Sequence, residues 1–100
     1  MNAVINALDK AIENKNVIQF IYESLPRTVE PYHYGSLGGT LHLHAYQLSG
    51  QSHSGGIPEW RNFEIDKIAN VSINKDKQFT PRKSYHPDNS KYTSILKAIS

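Results

Sequence analysis

The stretch "RTVEPYHYGSLGGTLHLHAYQL", Arg27 to Leu48, decides the fold. Two runs rich in β-branched and aromatic residues flank Gly38-Gly39. A two-residue primed turn needs positive φ at both central positions, which glycine adopts without a Cβ clash, so the stretch reads as a β-hairpin. If Leu37 pairs with Thr40, Ser36 faces Leu41, Tyr34 faces Leu43, Tyr32 faces Ala45 and His33 faces His44. Alternation sends Leu41, Leu43 and Ala45 to a core face and His42, His44 and Tyr46 to the other.

Outward from the hairpin, "VIQFIYE" (Val17 to Glu23) reads as a strand ended by Pro26. "SGQSHSGG" (Ser49 to Gly56) reads as a flexible loop, "IPEWRNFEI" (Ile57 to Ile65) as a fourth strand, and "IANVSINKD" (Ile68 to Asp76) as a short fifth. Val4, Ile5, Leu8, Ala11 and Ile12 give an N-terminal helix over 2–14. Tyr92, Ile95, Leu96 and Ile99 show the spacing of a C-terminal amphipathic helix over 89–99, capped by Asp88 or Ser90. The expected architecture is mainly β with flanking helices. It is a five-stranded antiparallel barrel over 17–76 between the two helices, in one domain spanning 1–100.

Composition narrows the function. The chain has 100 residues, 38% hydrophobic and 20% charged, with a net charge of +2. These values suit one small globular domain, and the cations form no basic run. Without cysteine there is no disulfide framework and no thiolate metal site. The N-terminal segment carries acidic residues in an amphipathic period, unlike a signal peptide, and no apolar run approaches a membrane span. The expectation is a cytoplasmic protein without a membrane partner.

The histidines pose the sharpest question. On one strand face His42 and His44 would sit beside His33 across the hairpin, and three imidazoles with an open fourth position are a known zinc arrangement. Against this, a one-residue slip removes the cluster, and no carboxylate is placed to orient an imidazole. The reading adopted is no metal and no cofactor, with His44 lining a groove. Arg61 is the leading candidate for a ligand contact. It is in phase with Phe63 and Ile65, so it must meet a carboxylate such as Glu30 or Asp66, or lie at the mouth of the barrel. Tyr22 and Tyr46 can stack on bases or bond phosphates. Arg27 and Ser24, near the turn after the first strand, can contact an anion. There is no nucleophile–base pair and no phosphate-cradling glycine loop.

Four segments in order resemble the WYL domain family, from about Val17 to Phe79. "VIQFIYES" is similar to its first strand, and "RTVEPYHY" to its R-x-x-x-P strand at Arg27 and Pro31. "LHLHAY" stands where the name motif lies, and "RNFEIDKI" resembles the closing strand at Arg61, Phe63, Asp66 and Ile68. Leu41 and His42 replace the name motif's tryptophan and tyrosine, Glu64 stands where arginine is usual, and Lys67 replaces another arginine. The resemblance implies an Sm-like or SH3-like barrel serving as a non-enzymatic sensing module in transcription regulation or antiphage defence. It implies an anionic ligand, a nucleic-acid strand or nucleotide, at Arg61, Lys67, Tyr22 and Tyr46. The family is usually fused to a winged-helix module, so this chain is expected to stand alone and to act with a partner protein carrying a DNA-binding or effector domain. Exposed strand edges lead us to expect a homo-oligomer. A protein-interaction or oligomerisation module without ligand binding is the alternative, and a histidine metalloenzyme the third reading.

Overall fold

The computed structural model describes residues 2–50 and 59–100. Most of the expected Ser49–Gly56 loop, and the first two residues of the expected Ile57–Ile65 strand, lie outside the described residues. Helix α1 (Asn2–Asn14) is followed by β1 (Asn16–Tyr22), β2 (Leu25–Leu37), β3 (Thr40–Gly50), β4 (Glu59–Glu64), β5 (Ala69–Gln78) and β6 (Ser94–Ala98). They form one antiparallel sheet in the order β4-β3-β2-β1-β5, and β6 pairs with β2.

The hairpin forms as its glycines dictate. Gly38 and Gly39 have φ of 60° and 89°, and Leu37 pairs with Thr40, Ser36 with Leu41, Tyr34 with Leu43 and His33 with His44. Beyond His33 the register shifts by one residue, so Pro31, not Tyr32, faces Ala45. This is a β-bulge, with two residues on β2 opposing one on β3. The bulge turns the consecutive side chains of Tyr32 and His33 to the same side of the sheet, where Tyr32 and His33 both pack on Tyr85.

Two faces result. On the first, Leu8, Ala11 and Ile12 of α1 pack on Ile18, Phe20, Val29, Tyr34, Leu43, Ala45, Phe63 and Ile65. Each such large side chain contributes about 1.5–3 kcal/mol by leaving water. On the second, Val17, Tyr32 and Phe79 form a smaller cluster with Tyr46, Leu48, Trp60, Tyr85 and Ile99. Residues 79–93 cross this face without a strand or α-helix.

Two expectations are corrected. The sheet does not close into a barrel. β4 gives way after six residues to a 3-10 turn at Ile65–Lys67, and the chain passes straight into β5, which leaves β4 and β5 at opposite edges. Residues 89–99 do not form a helix. β2 is 13 residues long, β1 pairs only with its Leu25–Val29 half, and the edge beyond would carry unpaired backbone groups. β6 pairs there with His33–Ser36, and Ser36 O accepts from Thr93 N at 2.9 Å while Tyr32 O accepts from Ile99 N at 2.9 Å. A helix of this length gains little on its own, so the waiting ladder overrides the 3.6-residue period. Gly35 makes the approach possible, because a Cβ there would lie 1.9 Å from Ser94 O.

Candidate functional site

On the first face, β3 presents Leu43, Ala45 and Gln47 in turn, all fully buried. At the Leu43 end the surroundings are apolar. At the Gln47 end they change to cationic. Arg61 is the cross-strand partner of Ala45, and opposed residues of an antiparallel pair share a face. Arg27, opposite Phe20 on β1, is 3% exposed. Its guanidinium lies 5.4 Å from the Tyr22 ring centroid and 5.7 Å from that of Phe63.

The polar contacts of Arg27 are long. NH1 donates to Gln47 Oε1 at 3.5 Å, NH2 donates to Tyr22 O at 3.2 Å, and Glu23 Oε1 lies 3.6 Å away. Its Nε is buried without a hydrogen-bond partner. Burial lowers the Arg27 pKa; Glu23 opposes this, and the nearby positive charge of Arg61 adds to it. Arg61 is 13% exposed and meets Glu59 at 3.6 Å. Two guanidiniums therefore share one half-dry end of the core. Tyr22 is fixed beside them, its hydroxyl accepting from Glu64 N at 2.9 Å and its ring edge-on to Phe63. Ser24 lies in the β1–β2 turn, where Glu23 and Ser24 have φ of 53° and 64°. Non-glycine residues hold this left-handed conformation at a cost of roughly 1–2 kcal/mol each.

The sequence candidates thus divide. Tyr22, Arg27 and Arg61 come together, with Ser24 in the adjoining turn. Lys67 is exposed in the Ile65–Lys67 turn. His44 and Tyr46 lie on the second face, packed on Trp60. The partner proposed for Arg61 is also different, because Glu30 pairs instead with Arg82.

The histidine reading is half fulfilled. His33 and His44 do meet, stacked with centroids 4.7 Å apart and planes 18° apart. Parallel rings cannot aim their lone pairs at one ion, and His42 Nδ1 is engaged with Thr40 instead. Among the described residues no three metal-ligating side chains come together. Ser90 Oγ donates to Pro87 O at 2.6 Å, so it accepts from His33 Nε2, 3.4 Å away, and His33 Nδ1 accepts a hydrogen bond from the Tyr85 hydroxyl at 2.6 Å. His33 is therefore a neutral Nε2–H tautomer. Burial, reinforced by His44, lowers its pKa to about 4, and burial lowers that of His44 as well.

Sequence reasoning missed Arg82, whose Nε and NH2 grip Glu30 at 2.8 and 3.2 Å and whose guanidinium lies 3.9 Å from the Tyr46 ring centroid. The residues are 52 positions apart. The available signal was Glu30 itself, the one acid in the Leu25–Leu37 strand.

An open antiparallel sheet, covered on one face by a helix and with Arg27 and Arg61 gathered at one end of its core, defines a small β domain. The WYL domain family model matches residues 3–73, and the chain belongs to that family. No curated protein matches it. Among solved structures it is similar to proteasome accessory factor B/C (PafBC) of Arthrobacter aurescens, with a TM-score of 0.70 and 21% identity over 87% of this chain. That likeness establishes the fold. The chain corresponds to 14% of the length of that protein. Among the described residues no helix is long and apolar enough to cross a membrane.

Proposed function

We propose that this WYL domain is a non-enzymatic sensing module that binds an anionic ligand, a nucleic-acid strand or nucleotide, between Arg27 and Arg61. The observation that carries the reading is that two guanidiniums share one end of the core, Arg27 buried and Arg61 close enough for its charge to lower the Arg27 pKa. Like charges brought together out of water are costly, and a phosphate between them would relieve the repulsion while accepting bidentate bonds. Tyr22 offers a ring beside the pair. The module would serve transcription regulation, with a partner protein supplying the DNA-binding or effector part. The test is binding of short oligonucleotides and mononucleotides to wild type and Arg61→Ala. A loss of ten- to a hundredfold is expected, from the roughly 1.5–3 kcal/mol of a hydrogen bond to a charged group. Unchanged affinity in a folded variant would make Arg61 structural.

A second reading, self-association, has its own observation. Ile95 and Leu96 on β6 are 39% and 60% exposed, the large hydrophobics left outside the core among the described residues. Light scattering of wild type and Leu96→Lys tests it. A mass above about 11 kDa that falls on substitution supports the homo-oligomer.

A further inference from the structure

The second face of the sheet is covered by residues 79–92, and the manner of covering is unlike the rest of the fold. Between Phe79 N, which donates to Lys15 O, and Thr93 N, which donates to Ser36 O, the segment's backbone–backbone hydrogen bonds are internal among the described residues: Tyr85 to Arg82, Asn89 to His86 and Ser90 to Pro87. Its hold on the sheet comes mainly from side chains. Arg82 enters a socket made by the Glu30 carboxylate and the face of Tyr46, and its backbone N–H donates to the Tyr32 hydroxyl at 2.9 Å. Three residues on, Tyr85 enters a second socket. Its hydroxyl reaches His33, and its ring lies 4.8 Å from Tyr32 and 5.8 Å from Trp60. Between them Ser84 Oγ accepts from Trp60 Nε1 at 3.1 Å.

We infer that the second face is a peptide-docking groove for an extended segment carrying arginine and, three positions later, tyrosine, and that residues 79–92 are its occupant in cis. Charge sets the partner's chemistry. Glu30 is only 6% exposed, and its oxygens are satisfied by Arg82 and by the Tyr32 hydroxyl. With the segment removed, the carboxylate loses its countercharge and both guanidinium bonds, which an arginine from another chain would restore. The groove therefore demands a cation, and the paired oxygens at 2.8 and 3.2 Å select the planar guanidinium fork over an ammonium. His33 Nδ1, which Tyr85 reaches at 2.6 Å, offers the second side chain a hydrogen-bond partner for a hydroxyl. The segment lies beyond residue 73, where the family match ends. This strap packs on the face opposite the arginine pair.

The test uses the full chain. In Arg82→Ala/Tyr85→Ala both anchors of the strap are gone while the groove is intact. A synthetic peptide of residues 79–92 is titrated in, and the fluorescence of Trp60, the chain's one tryptophan, reports occupancy. Saturable binding is expected. Wild type should bind the same peptide at least tenfold more weakly, because its tethered strap competes at millimolar effective concentration. A peptide carrying Arg82→Ala should also bind the double variant at least tenfold more weakly. A double variant that keeps its circular dichroism spectrum but ignores the peptide overturns the inference, as does equal binding of the arginine-less peptide. If the double variant does not fold, Tyr85→Ala takes its place under the same criteria. Hydrogen exchange on unmodified protein decides independently: amides 82–90 as protected as those of β2 and β3 would show a strap that never leaves.

Discussion

His33 and His44 lie face to face across the β2–β3 hairpin, 4.7 Å between ring centroids, and each reaches a different element through its outward nitrogen: His33 the strap at Tyr85, His44 the β4 residue Asn62. The pair is a neutral aromatic stack that ties the strap and β4 to the hairpin. Protonating it puts charge into a site arranged for uncharged rings.

Stability should accordingly fall on acidification. The folded-state pKa of His33, about 4, is below the ordinary value of 6.5. Between those values the unfolded chain binds a proton that the native state refuses. The His33 contribution is thus complete above pH 6.5 and declines as pH drops toward 4, by roughly 1–2 kcal/mol at pH 5. Urea midpoints at pH 7 and pH 5 measure it, and a midpoint independent of pH over that range contradicts it.

Ligand binding should depend weakly on salt. Two guanidiniums at the end of the core offer about two phosphate contacts, so the logarithm of affinity for a single strand should fall with the logarithm of salt at a slope of roughly −1 to −2. A slope near −6 would mean that the strand tracks a wider cationic surface than Arg27 and Arg61.

Gly35→Ala should detach β6. The added Cβ would sit 1.9 Å from Ser94 O, a backbone atom that moves only with its strand. The expected cost is about 1–3 kcal/mol, the usual range for overpacking, read as a lower urea midpoint. Gly38→Ala meets no neighbour within 4 Å and strains only its own φ of 60°, so its cost should be the smaller of the two.

Ser24→Gly should stabilise the fold. Ser24 sits at φ 64° in the β1–β2 turn, a conformation glycine adopts freely. The relief of strain is partly offset by the greater freedom of glycine in the unfolded chain, which leaves a gain of about 0.5–1 kcal/mol in thermal or urea unfolding. If Ser24 contributes to anion binding, the same variant loses affinity as it gains stability.

The hairpin was legible because its signals are local: two glycines fix the turn, and the turn fixes the register from Leu37–Thr40 to His33–His44. Legibility ended at the bulge. No residue type marks Tyr32 as the extra residue, and the slip there moved Tyr32 out of line with Ala45. Tyr92, Ile95, Leu96 and Ile99 gave a helical period, but the vacant half of β2 decided their conformation, and that vacancy is a property of the assembled sheet. The same limit applies to function. Arg61, Tyr22 and Arg27 were singled out separately, and their gathering at one end of the core follows from three strands folding together. Glu30 stood out as an acid in its strand, but nothing local named Arg82, 52 positions on, as its partner.

The two partners that divide the edge of β2 also set an order of assembly. The β1–β2 and β2–β3 hairpins close over two-residue turns, whereas the contact of Thr93 with Ser36 spans 57 positions. Closing the longer loop costs more chain entropy, so β6 is expected to join a sheet already formed, with its contacts absent from the folding transition state. Gly35→Ala should therefore leave the refolding rate nearly unchanged and accelerate unfolding. Late docking also makes β6 and the strap the first parts to come away, on a β2–β3 hairpin that persists without them.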